Sequence, residues 1–520
     1  MNAGSGNFVR ERFLVKRQNL FLFLRRGKEP KTENAFTHKF VRLCFPNRMN
    51  APTDIKREAR APEGFLTRFH PRHLPPMSRP AYINEILSWA FLPFFLGAIE
   101  GGTLGVVVKK TFTGVEGIGP TELNLAVALV TAAPNVANLT SFIWAAHSQG
   151  KPKVAYIASL QTMTAVCVAS IALMPEQRWG LWTLCILATL ARITWTGVIT
   201  LRSAVWRANY PREIRAKIAG NMATVQSLVL ALCGWAIGAA MDFNSKSFHI
   251  LFPALAVLGI AGNILWRRVP MRGEKRLLRA EQAAPKRSGP QLNPTSVLRV
   301  LKQDPQYAKF MLWMSVFGLG NLMISAPLAI VLEDEMNATY AQGILVTTVI
   351  PLLIMPLAIP FWARRLDRSH VVDFRAIHAW TFVSAAALIF IAALAKSMPL
   401  FYISGALLGI GFAGGSLAWN LGHQDFAPPE RDAEYMGVHV TLNGIRGLIA
   451  PFLAVGLYEW LKGHNLGAWS FFVCLMINVV GAWGFVHMRR ARKRHRKATL
   501  VSDSLAQSPT QSPAQSPAQA

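Results

Sequence analysis

Between Ile83 and Val486 the sequence passes through roughly twelve apolar stretches of about 20 residues, the length a helix needs to cross a hydrocarbon core about 30 Å thick. They cover approximately 83–108, 122–146, 153–174, 179–203, 217–241, 249–266, 307–332, 341–363, 375–395, 398–421, 436–461 and 468–488. Barrel strands are far shorter and alternate in polarity. Lipid offers no partner to a bare backbone group, so each stretch must satisfy its own hydrogen bonds as a helix. The expected fold class is an all-α polytopic membrane protein of about 12 transmembrane helices.

The chain also repeats itself. Pro211, Glu213, Ala216, Gly220 and Thr224 recur as Pro428, Glu430, Ala433, Gly437 and Thr441, a constant offset of 217 positions (211 to 428, 224 to 441). The same offset carries Thr131 and Pro134 onto Thr348 and Pro351. Two parallel six-helix halves are expected, 81–268 and 305–488, an arrangement that builds a central site between repeats. Gly220 and Gly437 are expected to sit where close packing leaves little room. Between the halves, residues 269–304 form a basic linker with a surface helix near Glu274–Gln282. Residues 1–80 read as a basic tail. Residues 489–520 begin basic and end in a Ser/Pro/Gln/Ala-rich run expected to be disordered. Met49 opens a second plausible start, so some or all of residues 1–48 are expected to be absent from the mature protein.

The net charge of +28 invites a nucleic-acid reading, but its placement argues against one. Lys and Arg cluster on alternate loops: Lys151/Lys153, Arg207/Arg212/Arg215, Arg267 to Arg287, Arg364/Arg365/Arg368, and Arg489 to Lys497. The intervening loops are short and neutral or acidic, as at Glu333-Asp334-Glu335. This bias places the basic loops and both termini in the cytoplasm, facing anionic lipid, in the plasma (cytoplasmic) membrane, which is the inner membrane of a bacterial cell. Five scattered cysteines, Cys44, Cys167, Cys185, Cys233 and Cys474, lack metal-ligand spacing and read as small packing residues. No cofactor is expected. No His/Asp/Glu cluster has metal spacing, Ser203 and Ser227 lack a recognisable base, and the chain has no nucleotide-binding glycine loop, so an enzyme or a primary pump is not expected.

The loop entering the ninth span reads Trp362-Ala363-Arg364-Arg365-Leu366-Asp367-Arg368. It resembles the cytoplasmic loop motif of the major facilitator superfamily, Gly-x-x-x-Asp-Arg followed by basic residues, with Ala363 in place of the glycine. With the repeat, the topology and the long central loop, the resemblance covers roughly 83–488. In the first half Gly150 stands where the motif's aspartate is expected. The resemblance implies a cavity lined by spans 1, 4, 7 and 10, with spans 2 and 11 meeting across the halves. It makes Asp367 and Arg368 candidates for a cytoplasmic gate, with Arg215 or Lys217 as possible partners of Asp367. Arg192, followed by Gly197 five residues on, matches the family's antiporter motif only loosely, since the motif spaces them by four.

A charge inside the bilayer is costly and normally faces a cavity or a partner. Three residues qualify by lying well inside their stretches: Glu100 in the first, Arg192 in the fourth and Arg446 in the eleventh. His439, Asn443 and Arg446 fall on one helical face, as do Thr131, Asn135 and Asn138. Their repeat mates are mostly less polar: Leu352 and Met355 for the asparagines, Val229 for Arg446, with only Gln226 opposite Asn443. An asymmetric polar site suits a substrate better than a scaffold. The candidate substrate-binding set is Asn135, Asn138, Arg192, Asn443 and Arg446. Glu100 and His439, the latter expected near the cytoplasmic mouth, are candidate proton-coupling groups, and a structural Glu100–Arg192 pair is the competing reading.

These features point to a monomeric secondary transporter of a small solute working by alternating access. Its buried cations favour an anionic or carboxylate-bearing substrate, and protons are the candidate coupling ion. Efflux of amphipathic compounds is the alternative within the class. A non-transporting sensor or scaffold is the alternative outside it.

Overall fold

The computed structural model describes residues 67–283, 294–428 and 431–506, and among these no strand occurs. The expectations for Met49, Cys44 and the low-complexity end lie outside the described residues. The N-terminal half comprises α1 (Arg79–Trp89), α2 (Pro93–Ala98), α3 (Gly101–Phe112), α4 (Pro120–Asn138), α5 (Ser141–His147), α6 (Lys153–Ile171), α7 (Arg178–Asn209), α8 (Arg212–Phe243) and α9 (Phe248–Trp266). The linker carries α10 (Glu274–Ala283) and α11 (Pro294–Gln303). The C-terminal half comprises α12 (Pro305–Asp334), α13 (Tyr340–Ile344) running through a π turn (Leu345–Val349) into α14 (Ile350–Leu366), then α15 (Val371–Leu394), α16 (Met398–Leu421), α17 (Asp432–Lys462) and α18 (Trp469–Ala506).

Sequence sets the helix ends. Prolines open α1, α2, α4, α12 and α16, where a missing N–H costs nothing. Asp304 caps α12 by accepting from Tyr307 N–H at 2.9 Å. Thr339 and Gln342 form a capping box at α13. The ordered chain extends beyond the boundaries read from sequence: Tyr82 donates to the Phe69 carbonyl at 3.1 Å, and α18 continues past residue 488 to Ala506.

Among the described residues, eleven helical stretches are long and apolar enough to cross a membrane. The second expected span falls short on those criteria, because α4 carries Asn124, Thr131, Pro134, Asn135 and Asn138 and the chain breaks before α5. It packs inside the bundle on α17, α3 and α7. Outward faces are apolar: Ile250, Val257 and Ile264 form an exposed stripe on α9, and Leu353, Leu357 and Phe361 form one on α14. The four described cysteines are unpaired, and three are buried.

The halves meet pairwise, α4 on α17, α8 on α13 and α14, and α3 on α12 and α13. One glycine expectation fails. A Cβ on Gly437 would meet nothing within 4 Å. The tight positions lie two and three turns further along α17. There a Cβ on Gly444 would run into the Leu139 side chain, and one on Gly447 into that of Asn135. The crossing with α4 occurs at that depth.

Candidate functional site

The first span unwinds. After α2, Ile99 (φ −114°, ψ 16°) leaves the helical region, Glu100 is extended (φ −64°, ψ 128°), and α3 restarts at Gly101. The break exposes a carbonyl in the bundle interior. Arg192 of α7 reaches it, donating to the Ile99 oxygen from Nε at 2.9 Å and Nη2 at 2.6 Å. Nη2 also meets Glu100 Oε2 at 2.8 Å. Non-helical backbone at membrane depth survives only where it is satisfied in this way. Glycines let the break approach its neighbours: a Cβ on Gly102 would lie 2.6 Å from Thr348 Oγ1 in the π turn of the other half. Arg192 and Glu100 are thus brought together as a pair.

A second network joins the halves. Arg446 of α17 donates from Nη1 to the Met314 carbonyl at 2.7 Å and from Nη2 to Asn443 Oδ1 at 2.8 Å. Asn443 Nδ2 in turn donates to Asn135 Oδ1 of α4 at 3.3 Å. The guanidinium lies over Gly318 of α12, where a Cβ would come 2.7 Å from its Cζ. Arg446 is 8% exposed, and among the described residues no carboxylate pairs with it. Asn138 is half-buried one turn from Asn135. His439 is fully buried against the edge of Trp419, with ring centroids 4.3 Å apart, so its imidazole is shielded from solvent.

Sequence reading missed Arg375 and His378. The expected ninth span began at 375, which left Arg375 at its rim, but α15 starts a turn earlier and buries both side chains. His378 Nε2 faces the Gly411 carbonyl at 2.8 Å, which requires the proton on that nitrogen. Nδ1 is then bare and accepts from Arg375 Nη1 at 3.3 Å. Arg375 also has no carboxylate partner among the described residues, and it lies within electrostatic reach of Arg446. Two buried guanidiniums in one half, neither neutralised by an acid among the described residues, make a region suited to an anion. The signal was present in the sequence as an arginine and a histidine three apart on one helical face, at the rim of an apolar run.

The acidic end of the bundle is closed. Lys109 bridges the halves to Asp334 at 2.8 Å, and Lys110 to Glu333 at 2.9 Å. Lys462 joins Asp334 from the same half, and Asn124 bonds Glu459 across the halves. Asp242 of α8 accepts from the Tyr340 and Ala341 N–H groups at 2.6 and 3.0 Å, capping α13 across the interface. Thr103 meets Thr348 deeper in. Among the described residues no hydrogen bond or ion pair joins the halves at the basic end. Asp367 and Arg368 are exposed at the C-terminal end of α14, and no described ion pair links Asp367 to Arg215 or Lys217. Asp425 takes the place at a helix N-terminus, accepting from Val371 N–H at 2.6 Å. No group of His, Cys, Asp or Glu able to hold a metal occurs among the described residues.

The family model described as Major Facilitator Superfamily matches residues 81–451. No curated protein matches the sequence. Among solved structures, the nucleoside transporter NupG is similar over 77% of this chain and 98% of its own, with 14% identity and a TM-score of 0.58. A D-xylose-proton symporter is similar over 77% and 97%, with 15% identity and a TM-score of 0.58. The human organic anion transporter MFSD10 (TETRAN) is similar over 79% and 100%, with 13% identity and a TM-score of 0.52. At these identities the likeness is one of fold.

Proposed function

Because the chain belongs to the major facilitator superfamily, we propose that it is a secondary transporter moving a small anionic solute by alternating access. One observation carries the choice of substrate class. Arg446 is a buried cation with no acidic partner among the described residues, tied through Asn443 to Asn135 of the opposite half. An uncompensated charge at that depth is expensive, and an anion that accepts from the guanidinium relieves the cost. Arg375 adds a second positive centre within reach.

The same geometry supplies coupling. A carboxylate or phosphate that takes the Nη2 donor of Arg446 displaces Asn443 from it. Asn443 then reorients, and its bond to Asn135 across the halves is weakened. Substrate binding would so bias the rocking of one half against the other, as alternating access requires. The Glu100–Arg192 pair is the proton-linked element of the proposal: a protonated Glu100 releases one of Arg192's partners and leaves the Ile99 carbonyl as the other. With the acidic end held by Lys109–Asp334 and Lys110–Glu333, this state opens toward the basic end, which the charge bias puts in the cytoplasm.

The test is uptake into proteoliposomes of a panel of labelled mono- and dicarboxylates, phosphate esters and neutral solutes. Saturable uptake of an anion that Arg446→Gln abolishes supports the reading. Uptake of a neutral solute indifferent to Arg446→Gln sinks the anion assignment. Specific ligand binding without flux would mark a sensor with a transporter's fold.

A further inference from the structure

A cavity of about 750 Å³ lies at the basic end of the N-terminal half, away from both networks. Its walls come from the turn between α5 and α6, the last turns of α7, and linker helix α10. Two features make it more than a gap. Its charged lining is four cations, Lys153, Arg207, Arg272 and Arg276, against one carboxylate, Glu281. Its remaining wall is largely apolar, with Leu201, Ala204 and Leu277 among the contributors.

Glu281 is already engaged. It accepts from Gly150 N–H at 2.8 Å and from Lys153 Nζ at 2.7 Å, and Lys153 also donates to the Ser148 carbonyl. Among the described residues, this clasp consumes the cavity's only acid and its one buried lysine. Arg207, Arg272 and Arg276 are left as exposed cations facing shared space. Their own described bonds are weak competitors: Arg272 donates to the Met77 sulfur, and the rest of its fork is unused. We propose that this cavity binds a phosphate-bearing anion, either the headgroup of an anionic phospholipid or a free phosphate ester, and that the bound group holds α10 against the N-terminal half. The planar forks of three arginines match phosphate oxygens, and the apolar wall beside them fits the glycerol and first acyl carbons of a lipid. The cavity belongs to the end of the bundle where positive charge accumulates, the side on which anionic headgroups are met. The proposal is independent of what the transporter carries.

The experiment uses the full chain. Purified protein is delipidated and offered phosphatidylglycerol or phosphatidylcholine, and retained lipid is counted by native mass spectrometry. In a second arm, protein in phosphatidylcholine nanodiscs is titrated with inorganic phosphate and its melting followed. Wild type should retain phosphatidylglycerol over phosphatidylcholine. The triple variant Arg207→Ala, Arg272→Ala, Arg276→Ala should lose roughly a hundredfold in affinity, at about fivefold for each basic residue. A control removing three exposed cations elsewhere at the basic end, Arg490→Ala, Lys493→Ala and Arg494→Ala, should retain wild-type binding. Stabilisation by inorganic phosphate that disappears only in the pocket variant, without lipid retention, assigns the same site to a free phosphate ester. Equal losses in both triple variants would reduce the effect to diffuse attraction and overturn the proposal. So would binding of neither probe.

Discussion

Lys109 of the N-terminal half meets Asp334 of the C-terminal half at 2.8 Å, with the lysine side chain only 3% exposed. Asp334 serves two lysines at once, since Lys462 closes on its other oxygen at 2.7 Å. Removing the carboxylate leaves a buried ammonium with Asn124 as its remaining described partner. Breaking one side of a buried pair costs about 3–5 kcal/mol, and here that cost falls on the closed acidic end alone. Asp334→Asn should therefore shift the population toward opening at that end. A cysteine replacing Thr131, 7% exposed, should react with an impermeant maleimide from the acidic side roughly tenfold faster for each ~1.4 kcal/mol of shift. Unchanged labelling would mean that the ion pairs decorate an interface held by packing.

Arg446 is the residue on which the substrate reading turns. Its two terminal nitrogens go to different partners, Met314 O and Asn443 Oδ1, which only a planar fork can reach together. Arg446→Lys keeps the charge and gives up that geometry. Uptake should fall by about tenfold or more, the loss of one charge-assisted hydrogen bond of about 1.5–3 kcal/mol. Arg446→Gln should remove uptake while the protein still inserts and elutes as a folded species. Arg375→Gln should raise the KM for the anion and spare a neutral competitor. An Arg375→Gln variant with wild-type KM would confine the site to Arg446.

Much of this was legible in the sequence, and the misses have physical causes. Apolar length fixes the helices, because lipid leaves the backbone few options, and the repeat divides them into two halves. Helical spacing put Asn135 on one face of its span and Asn443 with Arg446 on one face of theirs, and the family resemblance implied that those two spans meet. Depth was harder. Lys109 and Arg375 stand a turn or less from the expected span ends, and a helix boundary misplaced by that much turns a buried charge into a loop residue. Asp367 carried a motif and lies exposed, whereas the capping carboxylate is Asp425, more than fifty residues away along the chain. Spacing alone could not have found that contact. The break in the first span was not read from the sequence, since it depends on Arg192 arriving from another helix.

Glycine in α17 gives a graded test of the α4 crossing. Gly437 has open space around it, so Gly437→Ala should be neutral or gain up to about 1 kcal/mol from helix propensity. At Gly447 the added methyl would fall on the Asn135 side chain, 2.7 Å from its Cγ. Gly447→Ala should lower the melting temperature and uptake together, because Asn135 is both the packing neighbour and the end of the Arg446 network. Measured in parallel, the two alanines should differ in sign or clearly in size. Equal tolerance would show that α4 and α17 do not hold this crossing during transport.

The linker clasp offers the last prediction. Gly150 adopts φ +71°, a conformation side chains resist, and this turns its N–H toward Glu281. The position where the family's loop motif would carry an aspartate is thus met by a carboxylate from the linker helix. Glu281→Gln keeps an acceptor for Gly150 but removes the charge facing Lys153, itself 4% exposed. A buried ammonium without its counter-charge should push α10 off the turn. Hydrogen exchange over residues 274–283 should then accelerate by about tenfold or more, the equivalent of one charged hydrogen bond. Gly150→Ala should do the same by a different route, costing about 1–2 kcal/mol of backbone strain while leaving both charges in place. If Glu281→Gln leaves exchange unchanged and Gly150→Ala accelerates it, backbone shape holds the clasp. Acceleration by Glu281→Gln alone would make the Lys153–Glu281 charge pair the holding force of the clasp.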